Sequence, residues 1–238
     1  MTRKLYWEDA YASRFDAEVV RSEEGKVWLD KTAFYPTGGG QLNDTGTLVS
    51  GGREYKVSDV KKDGEEVLHV LDGNGKIDVG SQVQCTIDWE RRYALMKHHT
   101  ALHIVGAIVM KEHRGVTTGG QITETKAHLD FDCPALDRER SMEIVRKADV
   151  VVGEGREVSS RFITREEALS IPDLIRTAPG RDLINSLEMV RIVDISGFDV
   201  QTDGGTHVRN TKEIGKISLL GIENKGAHRK RIIISSVL

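Results

Sequence analysis

The sequence predicts an α+β protein. A small N-terminal β-barrel-like domain occupies residues 1–88, and an α+β domain with helices packed on an antiparallel sheet occupies residues 89–238. Three observations predict this. Residues 1–88 carry short alternating runs with turn formers roughly every ten residues, the spacing of a small closed sheet. Residues 89–113, WERRYALMKHHTALHIVGAIVMKEH, hold no proline, one glycine and an apolar stripe of helical period. Beyond them strand-like runs alternate with two shorter helical segments, a mixture that packs as helices on a mostly antiparallel sheet.

In the first half the predicted strands are Ala17–Val20, Lys26–Leu29, Thr47–Val49, Glu54–Val57, Val67–Val70 and Gln82–Ile87. Turn signals at 22–25, 50–52, 62–64 and 72–75 separate most of them. No amphipathic helix lies between these strands, so a mononucleotide-binding βαβ fold is not supported. FYPTGGGQLNDTG, residues 34–46, stands out. Its three glycines open positive φ angles and fit a tight loop. No Lys-Ser or Lys-Thr follows, so it is not a phosphate-binding P-loop.

In the second half Leu95, Leu102, Val105, Ile108 and Val109 form the stripe of the first helix. A second helix is predicted from Arg138 to Val152, capped by Asp137, with Met142, Val145, Ala148 and Val152 facing inward. A third starts at the capping box Thr164-Arg165-Glu166-Glu167 and ends near Ile171, because Pro172 cannot continue it. Predicted strands are His128–Phe131, Val158–Ile163, Met189–Ile195, Ile217–Glu223 and Arg231–Val237, the last two joined by a turn at Asn224-Lys225-Gly226. GVTTGGQI, residues 115–122, reads as a loop of turn formers.

Composition narrows the function. The formal net charge is -3, so any nucleic-acid contact must come from a local basic patch. Aromatics make up 5%, too few for broad base stacking. No apolar run approaches the roughly 20 residues of a spanning helix. MTRKLYWEDAY has no apolar core of a secretory signal, so none is expected. The two cysteines, Cys85 and Cys133, form no CxxC pair, and a reducing cytoplasmic setting is expected.

The histidines carry the chemistry. His99 and His103 stand four apart on a predicted helix, so both rings can aim at one point. His98 points about a quarter turn away and is expected to be structural or to support the ligands. Of the other histidines only His207 sits in a context built for ligation. In DGGTHV, Asp203 and His207 flank Gly204-Gly205-Thr206, whose glycines let a turn fold around an ion. His99, His103, Asp203 and His207 make a His₃Asp set that zinc accepts. Asp203 either binds directly or orients a histidine ligand while water fills the fourth position.

These motifs, in this order, resemble the editing domain of alanyl-tRNA synthetase and its free-standing relatives, the AlaX proteins. HTALH matches the family's HxxxH, and DGGTH matches its downstream CxxxH, with Asp203 where the family usually has cysteine. THVRNTKEIG continues the likeness, and FYPTGGGQLNDTG looks like the glycine-rich motif of the longer AlaX class. At this length no aminoacylation domain is expected.

The resemblance implies one Zn2+ per chain at His99, His103, Asp203 and His207. It implies ATP-independent hydrolysis of the ester joining a wrong amino acid to alanine tRNA, serine chiefly and glycine also. Thr117, Thr118 and Gln121, in the family region that contacts the substrate amino acid, are the expected catalytic-pocket residues. Gly38, Gly39 and Gly40 are expected to approach the tRNA end. Arg229, Lys230 and Arg231, with Arg91, Arg92 and Lys97 as a second group, are candidate phosphate contacts. Neither a membrane nor an obligatory protein partner is expected. The alternative is a metal-stabilised tRNA-binding module without turnover. A zinc peptidase is disfavoured, because position 100 is threonine rather than the glutamate of HExxH.

Overall fold

The computed structural model describes residues 1–174, 184, 185 and 187–237. The chain divides into two compact units, Met1–Leu95 and Met96–Leu238, with the boundary inside the long helix.

The first unit runs β1 (Arg3–Lys4), α1 (Leu5–Glu8), β2 (Arg14–Glu23), β3 (Lys26–Leu29), β4 (Lys31–Thr32), β5 (Gly46–Ser50), β6 (Arg53–Asp63), β7 (Glu66–Leu71) and β8 (Gln82–Ile87). Six of these strands close into a barrel in the order β2-β3-β7-β6-β5-β8. Alternate residues point inward, as the two-residue period of a strand requires. On β8, Val83, Cys85 and Ile87 are buried. On β7, Val67, His69 and Leu71 are buried. Val19, Val27, Leu29, Leu48, Val57 and Val60 complete the core.

The glycine-rich segment lies between β4 and β5. Gly38 and Gln41 exchange backbone hydrogen bonds at 3.1 and 3.0 Å. Gly39 and Gly40 between them have φ of 60° and 83°. Two consecutive positive φ angles are what a two-residue type I′ turn needs, and only glycine adopts them without strain. Asp44 holds the base of this loop, accepting the Tyr35 N–H at 2.6 Å.

The long helix α2 (Trp89–His113) is followed by β9 (Val116–Ile122), β10 (Ala127–Asp132), α3 (Arg138–Glu154), β11 (Val158–Thr164), α4 (Arg165–Ser170), β12 (Met189–Ile195) and β13 (Asp199–Thr202). A 3-10 helix (Thr211–Ile214), β14 (Lys216–Asn224) and β15 (Arg229–Val237) complete the second unit. Its strands form two antiparallel sheets, β14-β15-β10-β9 and β11-β12-β13. Every residue of α2 from Leu95 to Val109 is buried. The predicted stripe is therefore only part of the buried stretch, in which Lys97, His98, His99, Thr100 and His103 are also buried.

Four expectations are corrected. Residues 115–122 are not a loop: Val116–Ile122 pair with β10 as an edge strand, with a bulge that places Thr118 between the pairs Thr117–Phe131 and Gly119–Asp130. Met142 faces solvent, and Ser141, Ile144 and Val151 join Val145, Ala148 and Val152 on the inner side of α3. At about 100° per residue Met142 falls some 60° outside that arc. Asp137 caps α3 as expected, accepting from Arg140 N, but the helix runs to Glu154 because the left-handed residue that ends it is Gly155. Finally Arg92, a candidate phosphate contact, is fully buried and ion-paired with Asp44.

Candidate metal centre

α2 carries His99 and His103 one turn apart, with ring centroids 5.1 Å from each other. The segment after β13 brings Asp203 and His207 to the same place. His207 lies 4.3 Å from the His99 ring and 4.6 Å from the His103 ring, centroid to centroid. Asp203 Oδ2 is 3.3 Å from His99 Nε2 and 3.7 Å from His103 Nε2. Asp203 Oδ1 is 3.4 Å from His207 Nε2. One ligand atom from each residue lies within 4.8 Å of all the others. Tetrahedral zinc with bonds of about 2.0–2.1 Å sets its ligands roughly 3.3–3.4 Å apart. Three imidazoles and a carboxylate gathered within 4.8 Å are a donor set that such an ion could take with small adjustments of the side chains.

The loop that supplies Asp203 and His207 is tied down from beneath. Arg191 of β12 is buried, and its Nη1 donates to the carbonyls of Asp203 and Gly205 at 2.9 and 3.0 Å. Its Nη2 donates to Ser160 Oγ at 3.0 Å. Gly205 N–H donates to Asp203 Oδ1, turning the carboxylate inward. Gly205 also has to be glycine for want of room. A Cβ there would stand 2.3 Å from His99 Cε1 and 2.5 Å from His99 Nδ1. Downstream, Asn210 and Glu213 form a capping box on the 3-10 helix, which fixes the rest of the THVRNTKEIG segment.

Electrostatics favour a cation at this point. Burial lowers the pKa of His103. Burial, and then the charges of His99 and His103, hold His207 well below the ordinary histidine value. Burial alone would raise the pKa of Asp203, but the facing imidazoles outweigh it and hold the carboxyl well below its usual range. A carboxylate and imidazoles that resist protonation are good ligands.

His98 is also buried, but its Nε2 accepts the Ser236 N–H at 3.1 Å and so fastens β15 to α2. Thr117, Thr118 and Gln121 all lie on β9. Thr117 is opposite buried Phe131, and Gln121 is opposite His128, so these two stand on opposite faces of the sheet. Thr118 Oγ1 donates to Asp130 O at 3.3 Å. Arg229 is exposed, Lys230 Nζ donates to Asn224 Oδ1, and Arg231 makes a bidentate pair with Asp130 at 2.6 and 2.9 Å. Sequence reasoning flagged the glycines of this turn but missed two supports, Arg191 beneath the loop and Thr100, whose Oγ1 lies 3.1 Å from His207 Nδ1. Thr100 sits inside the HTALH motif and is ordinary by residue type, and Arg191 lies outside both motifs.

Residues 8–91 match the sequence profile of class II (A) tRNA synthetases, and residues 190–233 match that of the threonyl and alanyl tRNA synthetase second additional domain. The second match contains Asp203 and His207. The chain is 45% identical over 234 residues to the alanyl-tRNA editing protein AlaX-M of Saccharolobus solfataricus, covering 98% of both chains. It is 35% identical over 243 residues to AlaX-M of Methanosarcina mazei, covering 99% of this chain and 96% of the other. Against the alanine–tRNA ligase of Ignicoccus hospitalis it is 40% identical over 226 residues, which is 92% of this chain and 24% of the ligase. A likeness that spans nearly the whole of both chains, with the histidine motifs in place, makes this chain a member of the AlaX family of free-standing alanyl-tRNA editing proteins.

Proposed function

We propose that this protein is an aminoacyl-tRNA hydrolase that deacylates mischarged alanine tRNA, serine chiefly and glycine secondarily, at one zinc ion held by His99, His103, Asp203 and His207. The observation that carries the reading is the convergence of two distant motifs on one point, with four ligand atoms within 4.8 Å. Kinship with the AlaX-M editing proteins supports the substrate class.

Zinc, when bound, polarises an ester carbonyl or lowers the pKa of a bound water toward ~7. The protein's own residues do the positioning. Arg191 and Gly205 hold the Asp203–His207 loop against the His99 ring. Telling serine from alanine requires polar groups facing the seryl hydroxyl, since an apolar pocket rejects an added hydroxyl only weakly. Thr117, Thr118 and Gln121 are assigned to that task. The face of the sheet bearing Phe131 and Leu129 packs on α2, where a Cβ at Gly106 would lie 3.3 Å from Leu129. Thr117 shares that face. The Gly38–Gly40 turn offers backbone free of side chains to the tRNA end. Arg229, Lys230 and Arg231 are assigned to phosphates. The functional division is 1–88 and 89–238, the action is cytoplasmic, and no protein partner is needed.

Purified protein should deacylate seryl-tRNA(Ala), leave alanyl-tRNA(Ala) intact and lose activity with chelator. His103→Ala and Asp203→Ala should lose zinc and more than about 100-fold of activity, beyond the effect of a supporting residue. Equal zinc content in all three proteins would falsify the ligand set. Zinc and tRNA binding without turnover would leave the binding-module reading.

A further inference from the structure

Thr100 stands between the two helix ligands in sequence, and it is fully buried. Its Oγ1 is 3.0 Å from the Met96 carbonyl oxygen, 3.1 Å from His207 Nδ1 and 3.3 Å from Val208 N. A hydroxyl has one hydrogen and two lone pairs. The Met96 carbonyl can only accept, so the hydrogen goes there. The Val208 N–H can only donate, so it takes one lone pair. The remaining lone pair faces His207 Nδ1, and two lone pairs cannot face each other without repulsion. Nδ1 must therefore carry hydrogen.

A neutral imidazole carries one N–H. With it on Nδ1, the lone pair is on Nε2, which faces Asp203 Oδ1 at 3.4 Å, a repulsion that a cation shared between the two would relieve. The opposite tautomer would bond Nε2–H to Asp203 and close the site on itself. We propose that Thr100 is a positioning residue that locks His207 in the Nδ1–H tautomer, so that Nε2 is offered as a metal ligand. Histidine ligands commonly donate their second N–H to a carboxylate or carbonyl. Here a threonine hydroxyl does that work, because its own hydrogen is committed to a carbonyl one turn back on α2. The inference rests on the zinc reading given above.

Two measurements test it. In zinc-loaded wild type, ¹⁵N-histidine NMR should show His207 protonated at Nδ1 with the metal on Nε2; metal on Nδ1 with Nε2 protonated would overturn the inference. Zinc affinity, measured by chelator competition, should fall about 10- to 100-fold in Thr100→Val and stay within a few-fold of wild type in Thr100→Ser. The Co2+ absorption spectrum should change in Thr100→Val and be restored in Thr100→Ser. Equal affinities in wild type and Thr100→Val, with the fold verified by circular dichroism, would also overturn it. The NMR result needs no variant and stands if Thr100→Val fails to fold. Absence of binding in wild type and His207→Ala alike would instead reject the zinc reading, and the ligand role of His207 with it.

Discussion

Two aspartates, one in each unit, meet opposite surroundings. Asp44 is fully buried in the first unit, and the Arg92 guanidinium contacts both of its oxygens. Tyr35 N–H adds a third donor. Arg92 also donates to the carbonyls of Ala10 and Ala33. Charge is answered by charge, and the pair is closed. Asp203, in the second unit, faces three Nε2 atoms at 3.3 to 3.7 Å. Burial works against protonation of His103 and His207, so the carboxylate meets imidazoles rather than a fixed cation. A closed pair of opposite charges is architecture. A cluster of electron donors turned toward one point could hold a cation among them.

The largest expected effect comes from opening the closed pair. Asp44→Ala leaves a buried guanidinium unanswered and should cost about 3–5 kcal/mol. The double variant Asp44→Leu with Arg92→Met should recover most of that, because removing both charges leaves nothing unpaired. All three tryptophans, Trp7, Trp28 and Trp89, lie in the first unit, so denaturant titration by their fluorescence reports on this unit. A double variant as unstable as the single would show that packing around Arg92, not charge, sets the cost.

A second buried group in the barrel gives a smaller, pH-dependent effect. His69 is fully buried, with Thr32 Oγ1 2.8 Å from Nε2 and the Val27 carbonyl 3.3 Å from Nδ1. Burial lowers its pKa from 6.5 to about 4, with the Val27 bond opposing. Above pH 6.5 both folded and unfolded chains keep it neutral. As pH falls below 6.5 the unfolded chain takes a proton that the folded one refuses until about pH 4, so stability drains away across that window. The loss should total about 3 kcal/mol between pH 7 and pH 4. His69→Gln should flatten this part of the profile, and an unchanged slope would place the acid sensitivity elsewhere.

How far the sequence could be read follows the same divide. The four clustered residues are legible because each pair is local, four residues apart on a helix or across a glycine turn. The closed pair is not, because Asp44 and Arg92 are far apart in sequence and each alone looks like a surface charge. β9 is misread for a different reason. Gly119 and Gly120 signal a turn, but Gly120 is in the strand because Leu129 fills its side-chain space, only 2.8 Å from a Cβ there. Thr100 and Arg191 are ordinary residues by type, and only the bonds they make in three dimensions single them out.

Within the open cluster, neighbouring glycines provide an internal control. Gly205→Ala pushes a methyl into the His99 ring, while a Cβ at Gly204 meets nothing within 4 Å. Gly205→Ala should weaken zinc binding about 10- to 100-fold, on the scale of a lost supporting contact. Gly204→Ala should leave affinity unchanged. If both bind zinc like wild type, the His99 ring is not a fixed wall of the site.

The smallest effects are expected at the β14–β15 turn, where the same contrast between engaged and open charge recurs. Arg231 is held by Asp130, which itself lies well within reach of both guanidinium arms. Arg229 is exposed, and Lys230 is bonded only to the neutral amide of Asn224 among the contacts seen. A cation already paired with a carboxylate brings no net charge to a phosphate. Arg229→Gln and Lys230→Gln should each lower the slope of log binding constant against log salt by about 0.7–0.9, the value of one phosphate contact. Arg231→Gln should leave the slope nearly unchanged and lower stability instead, since it strands Asp130 beside β15. A full unit lost from the slope in Arg231→Gln would mean that tRNA draws this arginine away from Asp130 on binding.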